Sequence, residues 1–178
     1  MLTAAGIVHR VVVSGYPEDD VPGLTAHELV AAHAAGKARD VARRSGVPDG
    51  GAVLGADTAV VVDASVLGKP ADRAEAARMH ASLAGRRHVV VTAVCLITEH
   101  TEHAFVDEAS VHVRPLGPRH IDWYLDRGEW QGRAGGYAIQ GSGGSLVDRI
   151  DGDFATVVGL PIGRLMTVLE ACRLAPWQ

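Results

Sequence analysis

Two runs rich in apolar and β-branched residues, "HVVVTAVCLITE" from His88 and "EHAFVDEASVHVRPL" from Glu102, are separated only by His100 and Thr101. Such a pair, broken by a short polar turn, reads as a long β-hairpin. A third run, "AVLGADTAVVVD" from Ala52, is largely apolar, as suits a strand covered on both faces. Helical patterns fall between and around these strands. Thr25 and Glu28 form a capping box that opens a helix to about Arg44, stopped by Gly46 and Pro48. Asp72 caps a second helix through Leu83, with Glu75 three residues in and Gly85 as its stop. Pro118 opens a third, ended near Arg127 by Gly128, and a last amphipathic helix runs from Ile162 to about Arg173. At the start, "MLTAAG" reads as a final helical turn with Gly6 at its left-handed end, and "IVHRVVVSG" as a strand. Residues 64–70 read as a turn. Helices alternating with strands, plus one long hairpin, give an α/β fold with a mixed twisted sheet flanked by helices.

At 178 residues, with 47% hydrophobic and 21% charged residues, the chain reads as a single globular domain, 1–178. Its net charge of −4 and lack of a basic stripe argue against nucleic acid as a partner. No run approaches the roughly 20 apolar residues of a membrane span, and there is no signal-peptide pattern. The two cysteines, Cys95 and Cys172, form no CxxC pair, which points to a reducing, cytoplasmic setting.

The cationic residues are uneven: 15 arginines but two lysines, Lys37 and Lys69. The surviving lysines mark places where a compact ammonium serves better than a planar fork, unless the bias is chance. Lys69, in "GKP", sits on a turn from which it can reach a phosphate, yet the Walker spacing is absent. Lys37 lies late in the first helix, where a solvated face is the plainer reading. Asp57 is a carboxylate inside an apolar strand, costly to bury without partners. Placed at the strand's carboxyl end or on a bulge, it reads as a metal ligand or general base; capping a turn is the alternative. The "EDD" run, Glu18 to Asp20, is either a solvated loop or part of a Mg²⁺ site. The nine histidines form no metal signature, and no serine satisfies GxSxG.

"AGGYAIQGSGG", Ala134 to Gly144, holds five glycines around Gln140. It fails the dinucleotide spacing because position 146 is leucine. Two readings remain: glycines that let backbone approach a flat ligand while Gln140 reads a base edge, or a glutamine pinning its own loop.

In order and spacing, "GADTAVVVD", "LGKPADRAEAARMHASLAGRRHVVVTAV", "AGGYAIQGSGG" and "GDFATVVGLPIGRL" resemble the Maf family of nucleoside triphosphate pyrophosphatases. "VVSGYPEDD" and "KARDVA" match more loosely. The resemblance implies a fold of the inosine-triphosphate-pyrophosphatase type and cleavage between the α and β phosphates. It implies Mg²⁺ or Mn²⁺, a homodimer, and an association with inhibition of septum formation. Residue by residue, it implies that Asp57 is the proton acceptor and, with Glu18, a metal-side carboxylate. Thr58 and Gln140 fall at substrate-choice positions, and Lys37 and Lys69 at phosphate-contacting ones. The "AIQG" form resembles the branch acting on dTTP and UTP. The family's opening strand and Ser-x-Ser-Pro-Arg-Arg loop have no counterpart in this sequence, which implies an unpaired sheet edge. It also leaves a second expectation standing beside hydrolysis: a catalytically impaired nucleotide-binding or division-regulating protein.

Overall fold

Residues 1–19 and 23–177 are described by the computed structural model. Asp20, the last residue of the acidic run, lies outside them. The elements, in chain order, are α1 (Ala26–Ser45), β1 (Val53–Val62), β2 (Ser65–Leu67), α2 (Arg73–Leu83), β3 (Arg87–Ile97) and β4 (Glu102–Val113). They continue with α3 (Pro118–Leu125), β5 (Val147–Asp151), α4 (Phe154–Val158) and α5 (Ile162–Ala171). The strands form one sheet in the order β2-β1-β3-β4-β5, so the fold is α/β as expected. Both β1–β2 and β4–β5 pair antiparallel, the latter with a bulge between His112 and Val113.

Local signals fixed the helix starts. The Thr25 hydroxyl accepts from Glu28 N while the Glu28 carboxylate accepts from Thr25 N, completing the capping box at α1. Asp72 accepts from Glu75 N at the head of α2. At the chain start, Ile7 N donates to Leu2 O and Gly6 N to Thr3 O around a left-handed Gly6, the Schellman closure of a single helical turn.

Three expectations are corrected. Residues 7–15 belong to no strand, and Val8, Val11 and Val13 are exposed. Their β-branched side chains favour extended backbone, yet a strand also needs a partner ladder, and none of β1–β5 supplies one. The segment instead borders a cleft of about 740 Å³, with Ala52, Leu54, Leu96 and Leu165 among the residues on its walls. The turn at 64–70 contains the short strand β2, folded back on β1 through a two-residue hairpin turn at Asp63 and Ala64, both left-handed although neither is glycine. Asp57 lies in the middle of β1, not at its carboxyl end.

The chain divides into two compact units. One comprises residues 1–57, 92–107 and 159–178; its core joins Val94 and Leu96 to Leu160, Leu165 and Leu169 of the C-terminal segment. The other comprises 58–91 and 108–158; its core packs Val60, Val90 and Val111 with Leu83, Tyr124 and Trp130.

Candidate active site

In the first unit, α1 and β1 approach closely because the residues between them are small. A Cβ added at Gly55 would overlap the Ala34 carbonyl oxygen and lie 2.8 Å from Ala38 N. Ala34 and Ala38 are both buried. Glycine is needed here for room, not for dihedral freedom. The contact sets the distance from α1 to Asp57, two residues beyond Gly55 on the same side of the strand.

Across that gap α1 presents His33 and Lys37, four residues apart and therefore on one helix face. Lys37 Nζ donates to Asp57 Oδ1 at 2.7 Å and pairs with Glu18 Oε1 at 2.9 Å. A ring nitrogen of His33, Nδ1, lies 3.3 Å from Asp57 Oδ2, and the other, Nε2, lies 3.2 Å from the carbonyl oxygen of Asp19. The cost of embedding a carboxylate in this strand is thus offset by a cation on one oxygen and an imidazole on the other. Burial works to lower the Lys37 pKa, but hydrogen bonds and charge from Asp57 and Glu18 outweigh it, and the net shift is upward. The ammonium therefore stays charged at neutral pH.

The segment bearing Glu18 is held to α1 at several points. Asp40 accepts from Gly15 N at 2.7 Å and from Arg44 Nη2 at 2.8 Å. The Tyr16 ring lies where a Cβ on Gly36 would be, and meets His33 edge-on with centroids 6.0 Å apart. That explains a glycine inside a helix at a cost of about 1 kcal/mol against alanine.

The second unit holds Thr58, Lys69 and Gln140. Thr58 follows Asp57 in β1 and is half-buried; Lys69 is exposed on the turn after β2. That turn is tied to the glycine-rich segment, since Gly135 N donates to Gly68 O at 3.0 Å. His80 Nε2 donates to Gly136 O at 2.7 Å, and burial pushes the His80 pKa below its ordinary value, keeping the ring neutral.

Between Ala134 and Leu146 the chain makes two short 3-10 turns. Its close approaches are to its own atoms. A Cβ on Gly143 would overlap the Ala138 carbonyl oxygen, and one on Gly135 would come within 3.0 Å of Val60. The loop is latched by Glu129, which accepts from Ser142 N at 3.0 Å and from Gly143 N at 3.3 Å. Ser142 above all, then Gly143, holds the Glu129 carboxyl below its ordinary range. Gln140 stands exposed at the head of the second turn, and its side chain caps nothing there. The side-chain latch of this segment is Glu129.

His33 and Glu129 were not singled out from the sequence. The four-residue spacing from His33 to Lys37 was a usable signal for the first. Glu129 carried none, because its partners are backbone amides 13 and 14 residues on.

A half-buried carboxylate held by lysine and histidine, beside an acidic segment, within an α/β fold, marks an enzyme-like polar centre. The chain belongs to the Maf family: the family profile described as Maf-like protein matches residues 1–172. A dTTP/UTP pyrophosphatase of Symbiobacterium thermophilum is 44% identical over 169 residues, 95% of this chain and 86% of the relative. One from Thermus thermophilus is 41% identical over 177 residues, covering 99% and 90%. One from Bacillus pumilus is 37% identical over 177 residues, covering 99% and 92%.

Proposed function

We propose that this chain is a hydrolase that cleaves nucleoside triphosphates between the α and β phosphates, releasing a nucleoside monophosphate and pyrophosphate, with dTTP and UTP favoured. The observation that carries the reading is the Asp57 carboxylate, fixed in mid-strand with Lys37 on one oxygen and His33 on the other. The names of relatives at 37–44% identity over nearly the whole chain support the substrate class.

In this mechanism Asp57 takes the proton of a water attacking the α phosphorus. The bond to the bridging oxygen breaks, and pyrophosphate leaves with the electron pair. Lys37 and Lys69 are the proposed phosphate-contacting cations; an ammonium acts there as a compact point charge. Thr58 and Gln140 are the proposed contacts for substrate choice, Gln140 through its two donors and one acceptor.

A divalent cation, Mg²⁺ or Mn²⁺, fits the donor set of Asp57 and Glu18. Their carboxylates already converge on one cation, Lys37 Nζ, at 2.7 and 2.9 Å. Among the described residues no group of three or more His, Cys, Asp and Glu could hold a metal. Two carboxylates completed by substrate phosphates and water are an ordinary Mg²⁺ arrangement. Bound there, the metal would supply charge neutralisation for the phosphates.

Among the described residues no helix is long and apolar enough to cross a membrane. The proposal extends to a homodimer working in the cytoplasm. Sedimentation at twice the 18.7 kDa chain mass would agree, and a monomer would remove that part.

The product identity tests the reading. Phosphorus NMR of dTTP or UTP incubated with the chain and Mg²⁺ should show pyrophosphate and the monophosphate. Orthophosphate with the diphosphate, or binding without turnover, would refute it.

A further inference from the structure

His33 has a place in the first unit that the proposed reaction does not yet use. The ring is buried on α1, packed edge-on by Tyr16, with oxygens in front of both nitrogens. Both oxygens, Asp57 Oδ2 and the Asp19 carbonyl, can only accept. A buried imidazole in the first full helix would be poorly chosen for packing alone, since leucine fills similar space with no polar atoms to satisfy.

Its position gives it two tasks at once. Lys37 holds Asp57 Oδ1, which leaves the carboxylate free to turn about that contact. A second contact at Oδ2 removes the rotation, because the carboxylate plane is then set by two points on one helix face. The opposite edge of the ring reaches the backbone of the segment carrying Glu18, whose carboxylate meets the same Lys37 ammonium. Strand, helix and acidic segment are thereby closed around Asp57 through one side chain. The two nitrogens of a histidine are distinct, and such rings commonly orient the group that does the chemistry.

We propose that His33 is a positioning residue for Asp57: its Nδ1–H donates to Oδ2 and, with Lys37, fixes the orientation in which the carboxylate accepts the water proton. This rests on the hydrolase reading above. It differs from a structural role in what each nitrogen contributes. Asparagine places an amide donor near Nδ1, glutamine places one near Nε2, and leucine keeps only the volume.

Steady-state turnover of dTTP by the His33→Leu, His33→Asn and His33→Gln variants therefore separates the possibilities. With Leu, kcat should fall on the order of 10-fold while KM stays near the wild-type value, as expected when a reacting group is misoriented. Asn should recover most of kcat and Gln little of it. A Leu variant with wild-type kcat, or an Asn variant as slow as Leu, would overturn the proposal.

A second readout needs no turnover. Nitrogen–proton NMR of the histidine rings should show an exchange-protected Nδ1–H that disappears in Asp57→Ala. Its absence from the wild-type protein would also overturn the proposal. A chain that hydrolyses no triphosphate yet keeps this signal would refute the hydrolase reading and uphold the clamp.

Discussion

The centre around Asp57 and the loop around Gln140 hold in opposite ways the side chains proposed to act. At Asp57 the side chains hold one another: a lysine and a histidine from one helix face grip the two oxygens of a carboxylate from a strand. At Gln140 the backbone is held, by Glu129 and by tight glycine contacts, and the side chain itself stays free in solvent. The first arrangement suits a group whose orientation and charge must be set before substrate arrives. The second suits a group that selects among ligands, because its hydrogen-bonding capacity is left unspent.

The contrast can be broken from either side. Gly55→Ala should do the largest damage. The new methyl has no room beside the Ala34 carbonyl, so α1 must back away from β1 and take Lys37 and His33 with it. A loss of about 3 kcal/mol in denaturant unfolding is expected, together with a fall in kcat. A stable, fully active variant would show that the helix–strand distance does not set the centre.

Gly143→Ala attacks the loop instead. Its methyl would overlap the Ala138 carbonyl, and roughly 2 kcal/mol of stability should be lost. Discrimination between dTTP and purine triphosphates should weaken more than kcat for dTTP. The reverse pattern would assign the loop to the chemical step.

The smallest effect is confined to acid. Arg44, then the Gly15 amide, hold the Asp40 carboxyl down at about 2 against an ordinary 3.8. A depressed acid contributes stability above its unfolded pKa and loses it as pH falls through the folded one. The wild-type melting temperature should therefore drop between about pH 4 and pH 2, and less steeply in Asp40→Asn. Parallel curves would remove Asp40 as an anchor of residues 14–16.

How much of this could be read in the sequence follows from the range of each interaction. The helix starts at Thr25 and Asp72 were legible because a cap is complete within four residues. β2 and β5 were not: β2 is local to β1, but its hairpin turn, Asp63-Ala64, lacks the glycine or asparagine that would mark it, and the polar "VDRID" becomes a strand only through distant β4. Asp57 was marked by the cost of its burial, and Lys37 by the scarcity of lysine. The place of Asp57 in mid-strand was not legible, because the partners that make it tolerable lie 20 and 24 residues away. The glycine-rich segment stood out as a loop; its contacts within the chain did not. Its glycines make room for the chain's own carbonyls and for Val60, and Gln140 is left outward by that packing.

The central claim is that the clamped carboxylate performs the proton transfer. Asp57→Asn keeps the shape and an acceptor for Lys37, loses the one that faces His33, and removes the base. Pyrophosphate release from dTTP under saturating Mg²⁺ should fall on the order of 10³-fold with the fold intact by circular dichroism. Release at the wild-type rate would contradict it.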